Sequence, residues 1–143
     1  MRDTGRRKGH SVGPAPTITS RPDGTTDIDV DVVPGVTAAL AAGALLGAPL
    51  GHDHASISLS DLHTPWEAIE ARVRAVAEAD IVVSFYNPRS RGRDWQLPKA
   101  LAVLSAHRPP STPVGVVTHA SRPGEQVLLT TLAELDVETV GMY

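Results

Sequence analysis

From position 27 onward, apolar and polar residues follow two distinct periods, which predict strands and helices in succession. Residues 27–32 (DIDVDV) alternate strictly, which is the two-residue period of a strand with one face in water. A run of small residues follows Pro34-Gly35 and predicts a helix to about Leu46, with Gly47 suited to its carboxy-terminal cap. The first predicted unit is therefore a strand, a tight turn and a helix.

Four further segments have the length and composition of strands. The most apolar of them, IVVSFY, shows no alternation and is typical of a buried strand in a parallel sheet. In ASISLS, by contrast, Ile57 and Leu59 alternate with polar residues, which predicts one buried face. The predicted strands are 55–60 (ASISLS), 81–86 (IVVSFY), 113–118 (PVGVVT) and 126–130 (QVLLT).

Helix signals separate these strands. The segment 64–67 (TPWE) combines a capping threonine, a proline in the first turn and a glutamate able to close a capping box, and predicts a helix to about Glu78. Leucines recur at helical spacing over 97–104, and 131–134 (TLAE) repeats the capping-box spacing of a short last helix. The end, 137–143 (VETVGMY), begins another alternation and predicts a strand that is cut off, as in an incomplete chain.

The order of the predicted elements favours an α/β fold with right-handed crossovers. The composition of the chain before residue 27 is different. Residues 1–26 hold five Lys/Arg and two Asp among many Gly, Pro, Ser and Thr, without periodicity. Such a segment buries too little apolar area to offset its ordering entropy, so it is predicted to be a disordered tail.

Composition narrows the classes of function. The formal net charge of −3 argues against a nucleic-acid partner, since such proteins usually present a basic face. The absence of cysteine excludes disulfides and thiolate chemistry. The longest apolar run, 36–46, is too short to span a bilayer, and the start does not resemble a signal peptide. The sequence therefore predicts a soluble cytoplasmic protein without a membrane partner.

Candidate chemistry lies in the loops that follow predicted strands, because open α/β sheets bind ligands beyond the carboxyl ends of their strands. Three such loops stand out, at 34–38, 85–93 and 118–125. The middle loop carries three arginines in five residues, which suits a ligand with several carboxylates or phosphates. Two alternatives stay open at this point: a solvated run of charge in that loop, and simple tight packing for the small-residue helix.

Other kinds of site find little support. His52-Asp-His54 has no third ligand at a recognisable spacing, so no metal is expected. There is no G-x-S-x-G elbow, and Ser84 lies inside a predicted strand, so a serine hydrolase is disfavoured. A phosphate-binding G-x-G-x-x-G or Walker loop is also absent. The residues do not identify a catalytic group.

Four segments together resemble the tetrapyrrole methylases, over about residues 27–143. The P-G-x-T-A turn at 34–38 and the R-P-G-E loop at 122–125 are shared across that superfamily. The segments ISLSDL-x-TPWE and YNPRS-x-GR-x-WQL are more specific and resemble the precorrin-3B C17-methyltransferases of cobalamin biosynthesis. The matching stretches are VVPGVTAALAAGALLGAPLGHD, SLSDLHTPWEAIEARV, FYNPRSRGRDWQL and RPPSTPVGVVTHASRPGEQVLLTTLAEL.

The resemblance implies a two-domain α/β enzyme that binds S-adenosylmethionine between its domains and methylates C17 of precorrin-3B with ring contraction. By this resemblance, residues 27–50 end the amino-terminal domain, and residues 51–143 form an incomplete, mixed-sheet carboxy-terminal domain. A homodimer is the assembly that the family implies. By position, the cofactor-contacting residues are Thr37, Ala38, Asn87 and Ala120, and Arg89 and Arg91 suit the carboxylates of the precorrin substrate.

The chain also departs from the family. The family's opening G-x-G-P-G-type loop and its Gly-Asp-Pro cofactor loop have no counterpart here, so the resemblance implies about half of a cofactor site. Three readings therefore stay open: a methyltransferase completed by another polypeptide, an inactive fragment or binding module, and a different precorrin methylase, such as one acting on precorrin-2 or precorrin-4.

Overall fold

A computed structural model describes residues 34–141, and its helices and strands lie in the compact unit that starts at Val36. The predicted tail at 1–26 and the predicted strand at 27–32 lie outside the described residues. The elements are α1 (Ala38–Leu45), β1 (His54–Ser58), α2 (Trp66–Glu78), β2 (Val82–Tyr86), α3 (Gln96–Ser105), β3 (Pro113–Thr118), β4 (Gln126–Thr131) and a 3-10 turn (Val137–Thr139).

The described strands form two pairs of opposite type. β1 and β2 are parallel, with α2 as the connection between them, and Ser58 pairs with Tyr86 at their carboxyl ends. β3 and β4 are antiparallel, from the pair Pro113–Thr131 to the pair Thr118–Gln126. The α/β class with parallel and antiparallel pairing is therefore confirmed.

The core lies between the parallel pair and the two helices that follow its strands. Ile69 and Val73 of α2 are fully buried, as is Leu59 just beyond β1. On α3 the apolar spacing places Ala100 and Leu104 on the same buried face. The helical periodicity predicted over 64–78 and 97–104 is confirmed. No helix in the described part of the chain is long and apolar enough to cross a membrane.

The carboxy-terminal end of α1 matches its prediction. Leu46 is the last residue of near-helical geometry, and Gly47 follows it with φ +81°. The Ala48 N–H then closes the turn on the Gly43 carbonyl at 2.8 Å. A residue with a Cβ is strained at such a positive φ, which explains the glycine.

The prediction that 81–86 is a buried strand is wrong in one respect. The strand is parallel to β1, but Val82 is 38% exposed and the rest of β2 is only half-buried. Among the described strands β2 has a neighbour on one side only, and its residues border a cavity that is described below. A strand is buried on both faces only where other elements cover both sides of its sheet, and an apolar sequence alone does not show that they do.

The prediction of a capping box at the start of α2 is also wrong. The helix begins at Trp66, and Pro65 occupies the capping position with extended geometry (ψ 146°) and no side-chain hydrogen bond. The Pro65 carbonyl accepts from the Ala68 N–H at 3.0 Å. Thr64 is therefore one residue too far from the helix to cap it.

Two predictions for the last described residues are corrected. Thr131 ends β4, and its carbonyl accepts from the Leu135 N–H at 3.0 Å, so TLAE forms one turn instead of a helix. The predicted strand at 137–143 is a 3-10 turn over its described beginning, because the Asp136 side chain accepts the Glu138 N–H. Val140 then packs into the core.

Candidate functional site

The first turn of α1 is held at the carboxyl end of β2. The Thr37 hydroxyl accepts the Leu40 N–H at 3.3 Å and so caps the helix. The Ala39 N–H donates to the hydroxyl of Tyr86, the last residue of β2, at 2.8 Å. These bonds use two of the first-turn N–H groups that no helical carbonyl can satisfy. Ala38 is exposed, and its N–H makes no backbone hydrogen bond within residues 34–141, so an outside group can use it.

Asn87 lies where β2 ends, beside the end of β1. Its backbone is left-handed, with φ +51°, a conformation that asparagine tolerates better than most residues. Its side-chain amide donates from Nδ2 to Ser58 Oγ at 3.1 Å. That bond leaves the carbonyl oxygen of the amide as an acceptor. Thr37 and Ala38 of the loop at 34–38 and Asn87 of the loop at 85–93 are thus brought together through Tyr86.

A cavity of about 710 Å³ opens between α1, β2, α3 and β3. Ala38 and Gly43 contribute the small-residue side of α1, while Tyr86, Asn87 and Thr118 contribute polar groups at strand ends. The small residues of α1 therefore line a ligand-sized space. They also allow close packing, since a Cβ on Gly43 would lie 3.2 Å from Leu50 Cδ1.

The loop between β3 and β4 holds Ala120 in an unusual backbone. Ala120 is half-buried, and both neighbours are left-handed, with φ +54° at His119 and φ +59° at Ser121. The Glu125 carboxylate accepts the Ser121 N–H at 2.6 Å and holds this shape. Backbone strain of this kind concentrates at functional sites. Ala120 does not border the cavity, although Thr118, two residues earlier, does.

The two predicted substrate arginines have different surroundings. Arg89 donates to the Val137 carbonyl at 3.1 Å and to Glu138 Oε2 at 3.0 Å, and its side chain is only 21% exposed. Arg91 is exposed at the tip of a turn closed by backbone bonds between Ser90 and Arg93 at 2.9 and 3.0 Å. Arg89 therefore anchors the loop, and Arg91 is the accessible cation.

Sequence reasoning did not single out four polar residues that organise these loops: Ser58, Asp61, Tyr86 and Gln96. Ser58 and Tyr86 end the parallel strands, so the strand-end rule could have identified them. Gln96 is 1% exposed at the start of α3, on the face that carries Ala100 and Leu104. A polar residue on an apolar helical face needs a partner, and that pattern was visible in the sequence.

Within residues 34–141, no group of three or more His, Asp or Glu side chains is arranged to hold a metal ion. The site is instead a mostly apolar cavity with a few hydrogen-bonding groups at its edge and an arginine-bearing loop beside it. This composition is usual for binding an organic ligand in a fixed orientation.

The part of this chain that aligns with each of two known proteins spans about half the length of that protein. It is 54% identical over 116 residues to a protein named probable cobalt-factor III C(17)-methyltransferase of Salmonella typhimurium, which covers 81% of this chain and 48% of that protein. It is 45% identical to the precorrin-3B C(17)-methyltransferase of a Sinorhizobium species, covering 80% of this chain and 45% of that one.

A solved structure agrees with these sequence comparisons. The crystal structure of the methyltransferase CobJ superposes with a TM-score of 0.73 at 38% identity, covering 76% of this chain and 46% of that chain. The family described as Tetrapyrrole (Corrin/Porphyrin) Methylases matches residues 16–136, so the match starts inside the segment for which composition predicts disorder. The extent of that match, together with the similar sequences and the shared fold, shows that this chain belongs to the tetrapyrrole methylases.

Proposed function

We propose that this chain forms part of an S-adenosylmethionine-dependent methyltransferase that acts at C17 of a precorrin-3B-type macrocycle in cobalamin biosynthesis, with ring contraction. The observation that carries the proposal is the 2.8 Å bond from the Ala39 N–H to Tyr86, which joins the α1 loop to Asn87 at one cavity. The names of the relatives supply the position of methylation. We further propose a cytoplasmic enzyme that assembles as a homodimer.

The cavity fits the cofactor in size and in chemistry. Its volume of about 710 Å³ lies within the range of about 300–1,000 Å³ that is usual for small-molecule sites. The Ala38 N–H, the Thr37 hydroxyl and the Asn87 carbonyl oxygen would hold the polar edges of S-adenosylmethionine. Its adenosyl group would extend past Thr118, which borders the cavity, to the small side chain of Ala120 in the loop beyond. When bound, the cofactor supplies an activated methyl group on a sulfonium.

The residues of this chain would act mainly by positioning. Transfer from a sulfonium needs little acid–base assistance, so alignment of the two reactants supplies most of the advantage. The cofactor-side residues hold one reactant beside the ends of β1 and β2. The loop at 87–95 holds the other reactant. Arg91 binds a carboxylate of the macrocycle, and Arg89 adds positive charge to the same binding surface while it is bonded to Val137.

A chimera tests the proposal. In the Salmonella relative, the segment that aligns with this chain is replaced by this sequence, and methyl transfer from labelled S-adenosylmethionine to cobalt-factor III is measured. We expect methylation at C17. A folded chimera that binds the macrocycle but transfers no methyl group would favour the binding-module reading instead.

A matched pair of variants in that chimera tests the cofactor contact. Ala120→Leu should raise the KM for S-adenosylmethionine by about tenfold or more, because overpacking a close site costs about 1–3 kcal/mol. Ala102→Leu, the same change on the exposed face of α3, is the control and should leave the KM unchanged. If Ala120→Leu leaves the KM unchanged, Ala120 does not contact the cofactor.

A further inference from the structure

The loop at 87–95 is attached at one end to the last residue of β1 and, just beyond its other end, to the segment that follows β1. At its start, Asn87 Nδ2 donates to Ser58 Oγ at 3.1 Å. Immediately after its end, Gln96 Nε2 donates to Asp61 Oδ1 at 3.1 Å. Between these points the loop turns back at Ser90–Arg93, and Arg91 lies exposed at the tip. One attachment is therefore made by Asn87 itself, before the arginines, and the other is made by Gln96, after them.

Tryptophan packing reinforces the second attachment. The rings of Trp66 and Trp95 meet edge to face, with centroids 5.0 Å apart. Trp66 Nε1 donates to Glu70 Oε2 at 3.1 Å, and Lys99 Nζ lies 4.5 Å from the centroid of the Trp95 ring. The start of α2 and the start of α3 are thus joined beside the Asp61–Gln96 bond.

Burial of Gln96 lowers the stability of the folded chain relative to an apolar residue at the same position. Its side chain is 1% exposed, and its Oε1 atom has no hydrogen-bond partner in the described part of the chain. Burial of an unpaired amide oxygen is unfavourable, whereas an apolar residue of similar volume would fill the same space without that cost. The benefit of Gln96 for stability is therefore small, and its bond to Asp61 needs another explanation.

We propose that Asp61 and Gln96 are positioning residues that clamp the loop at 87–95 and so present Arg91 to the carboxylates of the tetrapyrrole. This inference rests on the proposed function for the identity of the ligand. Asp61 and Gln96 fix the carboxyl end of the loop and so act on substrate binding. The Ser58–Asn87 bond fixes the amino end and so acts on cofactor binding.

The test compares Gln96→Leu, Asp61→Ala and Asp61→Asn in the full 143-residue chain. Gln96→Leu and Asp61→Ala abolish the bond, while Asp61→Asn keeps an oxygen that can accept from Gln96. Amide hydrogen exchange at Ser90 and Arg93, measured without ligand, should become about tenfold faster in the first two variants and stay near wild type in the third. The midpoint of thermal unfolding should not fall in Gln96→Leu, since the core gains an apolar side chain.

Affinity for the macrocycle is the second measurement, by absorption titration with cobalt-factor III. The Kd should rise about tenfold in Gln96→Leu and Asp61→Ala, which is the effect of losing one hydrogen bond of about 1.4 kcal/mol, and Asp61→Asn should retain wild-type affinity. Glu134→Ala, which breaks a 3.1 Å surface bond from Thr131 Oγ1 at the end of β4, is the control and should change neither readout.

The outcomes separate this inference from the proposed function. Unchanged exchange at Ser90 and Arg93 in both Gln96→Leu and Asp61→Ala overturns the clamp, as does an unchanged Kd alongside faster exchange. If the wild-type chain and the chimera both fail to bind the macrocycle while exchange still rises in the two variants, the clamp stands and the proposed ligand is wrong. A fall in stability that fully accounts for the lost affinity would make the pair structural only.

Discussion

At the scale of single residues, side chains of one type in one loop perform different tasks because their surroundings differ. Arg89 and Arg91 are two positions apart, yet Arg89 is largely covered and bonded to Val137 and Glu138, whereas Arg91 is exposed. A guanidinium held by a carbonyl and a carboxylate contributes to the folded structure. An exposed one is available to a ligand and is screened by salt.

This difference predicts opposite results for two alanine variants. Arg89→Ala should lower the free energy of unfolding by about 1 kcal/mol, since one hydrogen bond and one half-exposed ion pair are lost. Arg91→Ala should change it by less than about 0.5 kcal/mol but weaken binding of cobalt-factor III, with the loss shrinking as salt is added. Denaturant unfolding and titrations at two salt concentrations measure both effects. Equal losses of stability in the two variants would contradict the assignment.

At the scale of elements, α1 is positioned by its two ends. Its first turn is bonded to Tyr86 at the end of β2, and its last residues reach β3, where Leu46 covers Gly115. A Cβ on Gly115 would lie 2.5 Å from Leu46 Cδ1, so any larger residue at that strand position forces the Leu46 side chain to move. The two contacts hold α1 beside β2 and β3, and all three elements line the cavity. The predicted boundary between domains at residue 50 stays a prediction.

Gly115→Ala should therefore destabilise the chain through one identifiable contact. We expect a loss of about 1 kcal/mol in the free energy of unfolding, the low end of the usual cost of overpacking, because the end of the Leu46 side chain can move. In a Leu46→Ala background the same change should cost less than about 0.5 kcal/mol, because the clash is gone.

The control for this pair is Gly51→Ala. A Cβ at Gly51 meets only the Ala48 carbonyl, at an ordinary 3.6 Å, so the change should be neutral or slightly stabilising. Urea unfolding of the four variants gives all the values. Additive losses from Gly115→Ala and Leu46→Ala would show that the two residues do not meet.

At the scale of the whole molecule, the chain spans about half the length of the relatives that it matches. The cavity walls described here come from α1, β2, α3 and β3, and several large apolar side chains stay exposed, Leu129 at 68% among them. A binding site with fewer walls makes fewer contacts, while the entropy lost on association stays nearly the same. Affinity should therefore fall steeply.

We expect the 143-residue chain alone to bind S-adenosylmethionine at least about 100-fold more weakly than the Salmonella relative does, because about 3 kcal/mol of contacts would be lost against the same association cost. Isothermal calorimetry on both proteins makes the comparison. Binding by the chain alone with the same Kd as the relative would show that these four elements suffice for the cofactor site.

Much of the local structure was predictable from the sequence, because local structure depends on nearby residues. The strand at Pro113–Thr118 and the buried face of α2 follow from spacing, and Gly47 marks the end of α1. The errors involve neighbours in space. Pro65 displaces Thr64 from the cap, and Thr131 continues its pairing with Pro113 instead of starting a helix. Among the described strands β2 has a neighbour on one side only, and it is therefore not fully buried.

The sequence by itself determined the α/β class, the family and the order of the elements from α1 to β4, through periodicity and a few loop motifs. Only the tertiary structure decided how those motifs act together. The bonds from Ala39 to Tyr86, from Arg89 to Glu138 and from Gln96 to Asp61 join residues 47, 49 and 35 positions apart. Side-chain preferences act over a few residues, whereas contacts at such separations depend on how the elements pack, and this packing assembles the candidate site.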